Sequence, residues 1–370
     1  MSQRALARID LSAVNHNCTK LSSMLGEATA LCAVVKANGY GHGADECARA
    51  ALAGGAGWLA VATAEEAGAL RRAGIEARIL VMGALSPEEL DVALDADADV
   101  VAWREGFVRR AASVAGSRST RARLHVKLDT GMGRLGTRDV AEALGLVTMA
   151  EREPDLELAG FMTHFATADE PGSEFFGEQL TRFAPVAERV KGAHSGCIVH
   201  AANSAAVYRD PAAHFDMVRC GIAVYGLDPF HEDPSERGLE PALALTSYVA
   251  DIKPVEAGDS VGYGRSWRAE RDTRVAVLPI GYGDGYRRGL SNNAEVIVRG
   301  QRFPLVGTIS MDNVTVEVGP DADVRQGDLA TLIGADGEAR ILCEELARRL
   351  GTINYEISCG ISQRVPRQHT

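Results

Sequence analysis

Short apolar runs rich in Val, Leu and Ile recur along the first two thirds of the chain, at 29–35, 58–62, 78–82, 99–103, 124–128, 158–164, 197–201 and 216–219. Amphipathic stretches such as 44–53 and 174–190 lie between them, with apolar residues at helical spacing. Runs this short and continuous read as strands buried on both faces, and their alternation with helices predicts parallel pairing. Eight such alternations predict an α/β fold, a (β/α)8 barrel of the TIM type. After about residue 238 the helical spacers vanish. Strand-like segments then follow at 246–252, 274–278, 294–298, 314–318 and 329–333, interrupted by one helix near 343–350. The expected organisation is a barrel over 1–237, its first residues a strand joining the C-terminal part, and a mostly β domain over 238–370.

Composition narrows the chemistry. With 370 residues, 46% hydrophobic and 24% charged, the chain has the make-up of a packed, water-soluble protein of two domains. A formal net charge of −11 argues against an extended surface for nucleic acid or anionic lipid, so small molecules are the expected partners. No run reaches signal-peptide or membrane-spanning length, which makes the cytoplasm the expected location. Seven scattered cysteines without a Cys-x-x-Cys pair read as reduced core residues. Nine histidines show no His-Glu-x-x-His spacing, so no metal site is expected.

In barrels of this kind the active site lies at the carboxyl ends of the strands. The polar residues there are Lys36 and Tyr40 after the first strand, Asp129 and Arg134 after the fifth, His164 after the sixth, Asn203 and Ser204 after the seventh, and Arg219, Gly221 and Ile222 after the eighth. Lys36 ends the run Leu31-Cys32-Ala33-Val34-Val35. Burial disfavours the charged form of an amine whose reference pKa is about 10.4, and so produces a nucleophile for carbonyl carbon, the chemistry of a Schiff-base lysine. The plainer alternative is a barrel lysine that pairs with a carboxylate or snorkels to solvent.

Gly131-Met132-Gly133-Arg134-Leu135-Gly136 matches the spacing of a dinucleotide-binding loop, but the next strand ends in His164 where that motif needs an acid. The glycines are better read as a close turn presenting Arg134 to a carboxylate or phenolate, the alternative being a surface arginine. Asn203-Ser204 and Gly221-Ile222 occupy the place where barrels build phosphate sites from backbone amides, although Ser204 alone also reads as a helix N-cap. A carbonyl-reactive lysine on one side and a phosphate cradle on the other is the layout suited to pyridoxal phosphate. Arg219 then lies where it can donate to the pyridine nitrogen and oppose its protonation; an ion pair with Asp216 is the structural alternative.

These residues carry a family resemblance. The stretches Ala33-Val34-Val35-Lys36-Ala37-Asn38-Gly39-Tyr40-Gly41-His42-Gly43, Lys127-Leu128-Asp129-Thr130-Gly131-Met132-Gly133-Arg134-Leu135-Gly136, Thr163-His164-Phe165-Ala166 and Val218-Arg219-Cys220-Gly221-Ile222 resemble the alanine racemase family, fold-type III pyridoxal phosphate enzymes. So do Gly262-Tyr263-Gly264, Gly281-Tyr282-Gly283-Asp284-Gly285-Tyr286, Ser310-Met311-Asp312 and Asn354-Tyr355-Glu356 in the β region, so that the likeness spans nearly the whole chain.

The resemblance implies interconversion of L- and D-alanine, supplying D-alanine for peptidoglycan, with Lys36 holding the cofactor and serving one enantiomer as base. Tyr263 from the β domain of a partner subunit serves the other, which implies a homodimer. A phenol, with a reference pKa of about 10, is a weak base at neutral pH, so a relay through His164 and Arg219 is implied to favour its phenolate. Arg134 and Met311 are implied to contact substrate. Tyr40, Asn203, Ser204, Arg219, Gly221, Ile222 and Tyr355 are implied to hold the cofactor, and Tyr282, Tyr355, Asp169, Arg288 and Ile353 to line the entrance. Lys127 matches a lysine carbamylated in some members. Thr308 stands where many members have arginine, which bears on substrate range. The runner-up is a racemase of the same fold acting on serine or basic amino acids. A non-catalytic pyridoxal phosphate carrier and a decarboxylase of related architecture are the readings from other classes.

Overall fold

Strand β1 (Leu6–Ile9) precedes eight strands that close into a parallel barrel in chain order: β2 (Ala30–Val34), β3 (Trp58–Val61), β4 (Arg78–Val81), β5 (Asp99–Ala102), β6 (Ala122–Lys127), β7 (Leu156–Met162), β8 (Ile198–His200) and β9 (Met217–Cys220). The barrel closes where β2 pairs with β9, Cys32 opposite Arg219. Every residue of β3, β5 and β9 is buried. Helices cover the outer face of such a barrel and side chains fill its interior, which is why these strands read as continuous apolar runs. Thr63 and Ser86 open the helices Ala64–Arg72 and Pro87–Asp95 with capping boxes closed by Glu66 and Glu89. Caps of this kind contribute about 1 kcal/mol each. The structure, a computed structural model, describes residues 4–370. The barrel belongs to a compact unit made of Val14–Gly39 and Ala44–Val224.

A second unit contains the described residues up to Ala13, Tyr40–Gly43 and Tyr225–Thr370. Its strands are β10 (Leu243–Tyr248), β11 (Asp251–Val255), β12 (Ser260–Val261), β13 (Trp267–Arg268), β14 (Thr273–Leu278), β15 (Glu295–Val298), β16 (Gln301–Pro304), β17 (Val314–Glu317), β18 (Leu329–Asp336), β19 (Ala339–Ile341) and β20 (Arg367–His369). The main sheet runs β16-β15-β18-β10-β1-β20, with β19 hydrogen-bonded to β18. Strand β1 pairs antiparallel with β10 and parallel with β20, so both ends of the chain are tied into one sheet. A smaller sheet runs β11-β14-β17, and β12 with β13 forms a two-stranded ribbon.

The expected strand at 246–252 is two strands. Strand β10 ends at Tyr248 and β11 starts at Asp251 in a different sheet, because the chain turns at Val249-Ala250, where Val249 and Ala250 donate to Asp328 and Val277 carbonyls at 2.8 Å each. The helix expected near 343–350 is present as Cys343–Leu350, closed by Gly351 in the left-handed region, and a second, Asn354–Cys359, follows it.

Candidate active site

Lys36 leaves the carboxyl end of β2 into a left-handed turn. Ala37, Asn38, Gly39 and Tyr40 all have φ between 52° and 61°. Side chains other than glycine cost about 1–2 kcal/mol per residue there. Local hydrogen bonds offset that cost. Gly39 donates to the Val35 carbonyl at 2.9 Å, Ala37 to Glu66 Oε1 at 2.6 Å, and Ala44 to Asn38 Oδ1 at 3.1 Å. Glu66 also accepts from the Ala62 amide at 2.8 Å, so one carboxylate ties the turn after Lys36 to the loop after β3. The glycine-rich segment is therefore a held turn with Lys36 half-buried at its start.

Arg219, on β9, is 4% exposed and is the centre of the barrel's polar interior. Its Nη2 donates to the carbonyls of Thr163 at 2.9 Å and Ala201 at 3.0 Å and lies 3.2 Å from His164 Nδ1, while its Nη1 is 2.8 Å from His200 Nδ1. Burial lowers this guanidinium to about 10, which leaves it cationic at neutral pH. The alternative pairing with Asp216 does not form; that carboxylate takes Lys191 Nζ at 2.6 Å and the Val199 amide at 2.8 Å. Burial, followed by the charges of Arg219, Lys127, Arg134 and Lys36, pushes His164 well below the usual histidine range. His164 is therefore a neutral imidazole beside a fixed cation.

Arg134 is exposed on the loop after β6, and Asp129 shapes that loop by accepting from the Gly131 and Gly133 amides at 3.1 Å each. Although burial raises the Asp129 carboxyl, those two amides and Arg138 hold it below the usual range. The following helix, Val140–Arg152, is capped by Asp139. The G-x-G-x-x-G match therefore ends before any helix begins. Asn203, not Ser204, caps the helix Ser204–Arg209, accepting from Ala206 at 3.0 Å. Ser204 is free of that task, and its buried Oγ accepts from the Gly221 amide at 3.0 Å and the Ala223 amide at 3.4 Å, joining the ends of β8 and β9. Buried Ile222 lies between them. Asp169 is exposed in the loop after β7.

The remaining expected residues are in the second unit. Tyr263 is 74% exposed at the tip of the β12–β13 ribbon, flanked by Gly262 and Gly264 with φ of 76° and 71°. Val261 and Trp267 anchor the ribbon by packing on Val255, Ala269, Val275 and Val306. An apolar base and a polar tip leave the phenol presented outward. Thr308 lies beside this tip, its hydroxyl 3.0 Å from that of Ser266. Tyr282 and Met311 are brought together because the Tyr282 amide donates to Ser310 at 3.1 Å and the Gly283 amide to Met311 at 2.9 Å. A Cβ at Gly281 would overlap the Ser310 and Met311 carbonyls, so this close approach requires glycine. Tyr282, Met311, Arg288 and Ile353 are exposed. Tyr40, 8% exposed, packs at a tilt against Tyr225 and half-buried Tyr355, with ring centres 5.1 and 5.9 Å away.

Three residues next to this site were not among those expected. His200, His125 and Asp99 are fully buried and continue inward from Arg219. The available signal was a polar residue inside each of three apolar runs.

Comparison with known proteins accords with this arrangement. The family description "Alanine racemase, N-terminal domain" matches residues 9–229, and "Alanine racemase, C-terminal domain" matches 242–369. The alanine racemase of Symbiobacterium thermophilum is 46% identical over 363 residues, covering 98% of this chain and 96% of its own. Alanine racemase 1 of Bacillus subtilis is 41% identical over 363 residues, covering 98% of this chain and 92% of its own. The crystal structure of alanine racemase from D-cycloserine producing Streptomyces lavendulae superposes with a TM-score of 0.94 at 37% identity, covering 100% of this chain and 98% of that one. With both domains matched in order and likeness along the full length, this chain belongs to the alanine racemase family.

Proposed function

We propose that the protein interconverts L- and D-alanine with pyridoxal 5'-phosphate as cofactor, in a homodimer whose active sites each draw Tyr263 and Met311 from the partner subunit. The observation that carries this reading is the surplus of positive charge at the barrel mouth. The charges of Lys36, Lys127, Arg134 and Arg219 all lower His164, and Asp129, an acid that acts on Lys127, is already engaged by backbone amides and Arg138. A phosphorylated carbonyl cofactor and a carboxylate substrate are the anions that such a mouth fits. When bound, the cofactor's conjugated ring withdraws electrons from the substrate Cα–H bond.

Lys36 Nζ would hold the cofactor's carbonyl carbon, and Tyr40, Asn203, Ser204, Gly221, Ile222 and Tyr355 would hold its phosphate. Arg219, which stays protonated at neutral pH, would donate to the cofactor's ring nitrogen and oppose its protonation. Arg134 binds the substrate carboxylate. Tyr263 removes the Cα proton of L-alanine and Lys36 Nζ delivers one to the opposite face; for D-alanine the roles exchange. Neutral His164 beside Arg219 supports the phenolate of Tyr263. Tyr263, Met311, Tyr282 and Ile353 are exposed apolar or aromatic residues, and we assign them to the surface that the second subunit covers. Tyr282, Tyr355, Asp169, Arg288 and Ile353 are assigned to the entrance. No helix of the described residues is long and apolar enough to cross a membrane, and we place the enzyme in the cytoplasm, where D-alanine is made for peptidoglycan.

A chiral assay of L-alanine, L-serine and L-lysine tests the substrate. Alanine is expected to turn over fastest, by about tenfold or more, because serine adds one side-chain atom and lysine four, and even one added group at a close-fitted pocket costs on the order of 1–3 kcal/mol. Faster racemisation of serine or lysine would move the reading to the runner-up.

Lys127 gives a second test. Burial, then Arg219 and Arg134, lower its amine from 10.5 to about 8, with Lys36 adding to the shift and Asp129 opposing it. A depressed amine is the form that adds to carbon dioxide with loss of one proton, and the resulting carbamate would sit among three cations. In bicarbonate-free buffer the unfolded chain binds the extra proton between pH 8 and 10.5, so stability is expected to rise with pH across that window and to fall as pH drops through 8. Lys127→Met is expected to remove this dependence, which amounts to about 3 kcal/mol at most. In bicarbonate, native mass spectrometry is expected to find one added carbon dioxide; a bare amine there would exclude the carbamate.

A further inference from the structure

We propose that Asp99, His125 and His200 are positioning residues: the Asp99 carboxylate, acting through the two imidazoles, fixes the tautomer of His200 so that its bare Nδ1 accepts from Arg219 and holds that guanidinium in place. The inference deepens the reading above, on which the role of Arg219 rests.

The chain of contacts is continuous. His125 Nε2 is 2.9 Å from Asp99 Oδ2, His125 Nδ1 is 2.8 Å from His200 Nε2, and His200 Nδ1 is 2.8 Å from Arg219 Nη1. Both ends fix its direction. A carboxylate only accepts, so His125 carries its proton on Nε2 and leaves Nδ1 bare; a guanidinium only donates, so His200 must leave Nδ1 bare and carry its proton on Nε2. The two requirements meet without conflict in the middle, where His200 Nε2–H donates to His125 Nδ1. A second proton on either ring would set donor against donor.

Charge at the far end is held firmly. Asp99 takes Arg78 Nη2 at 2.5 Å and Arg123 Nε at 2.7 Å. Burial raises its carboxyl, but the bonds to His125 and Arg123 and the charge of Arg78 bring it below the usual range. Burial and Arg219 push His200 well below the usual histidine range, in keeping with a neutral ring.

The barrel is also modified to admit His125. The β6–β7 pairing shifts register between Leu124 and His125, and a Cβ at Gly160 on β7 would overlap the imidazole. A strand irregularity and a missing side chain at one point both serve to aim this ring into the interior. Trp58 meets His125 edge-on, with ring centres 5.9 Å apart, and Arg78 lies 4.1 Å over the Trp58 ring. The chain is not a proton wire, because arginine does not give up its proton at working pH. It orients Arg219.

The test is the histidine tautomers of the 15N-labelled holoenzyme, read at neutral pH from long-range proton–nitrogen spectra and assigned with His125→Asn and His200→Asn. Both rings are expected to be protonated on Nε2 alone. Asp99→Asn, whose amide can donate to His125, is expected to populate the other tautomer at His200. It is also expected to lower kcat about 10- to 100-fold, the value of a hydrogen bond to a charged group, with little change in KM. His200→Asn keeps an acceptor near the Nδ1 position and is expected to retain more of kcat than His200→Leu. A ring protonated on Nδ1 in the wild type, or a His200 tautomer unmoved by Asp99→Asn, would overturn the proposal, and the wild-type spectrum decides it even where Asp99→Asn does not fold. The tautomers are read whether or not alanine is turned over, so the expected pattern in a protein that fails to racemise alanine would reject the functional reading and leave this one standing.

Discussion

Lys36→Ala is expected to lower racemisation of alanine by about 10,000-fold or more, equally from the L and the D side. Two functions leave together: the amine that holds the cofactor's carbonyl carbon, and the group that exchanges a proton with one face of Cα. The enantiomers are equally stable, so kcat/KM must fall by the same factor in both directions, whichever face has lost its base. The fold should tolerate the change. Lys36 is one of the cations acting on Lys127 and His164, so its removal relieves repulsion at the barrel mouth. Chiral chromatography of both time courses, with circular dichroism as the check on folding, reads the result. Substantial activity in a folded variant would remove Lys36 from the chemistry.

Tyr263→Phe is expected to cost less, about 100- to 10,000-fold, again symmetrically. Its distinguishing effect is on proton exchange in heavy water. With only Lys36 left, D-alanine should still exchange its Cα proton with retention of configuration, because removal and return occur on the same face. L-alanine should exchange at a rate reduced with racemisation. The substitution removes one hydroxyl from a side chain that is 74% exposed at the ribbon tip of its own chain, so the fold of that chain should change in stability by less than about 0.5 kcal/mol. Exchange of L-alanine at the wild-type rate would show that another group serves that face.

Much of this site was legible because a parallel barrel gathers the carboxyl ends of its strands at one mouth. To know that Lys36, His164, Ser204 and Arg219 follow apolar runs was enough to place them together. The inward chain behind Arg219 was not legible in the same way. A single histidine inside a buried run does not reveal which side of the strand it occupies, and for His125 the facing depends on a register shift that no apolar pattern records. The left-handed turn after Lys36 was visible only at Asn38 and Gly39, since Ala37 and Tyr40 are residue types that ordinarily avoid that region. Strands β10 and β11 merged because the turn between them, Val249-Ala250, has neither glycine nor proline. The ribbon that carries Tyr263 has two residues in each strand, too few for a period to appear. Gly262 and Gly264 were the remaining signal, and they marked a turn with an aromatic residue at its tip.

The central claim is that each active site joins Lys36 of one subunit to Tyr263 of the other, and subunit mixing tests it most directly. Lys36→Ala and Tyr263→Phe subunits, differently tagged, are unfolded together, refolded and purified as heterodimers. One site of each heterodimer then has both native bases and the other has neither, so racemisation is expected to return to about half the wild-type rate per dimer although both parent homodimers are nearly inactive. Heterodimers as inactive as their parents would contradict the account, because they would place Lys36 and Tyr263 of one site on the same chain.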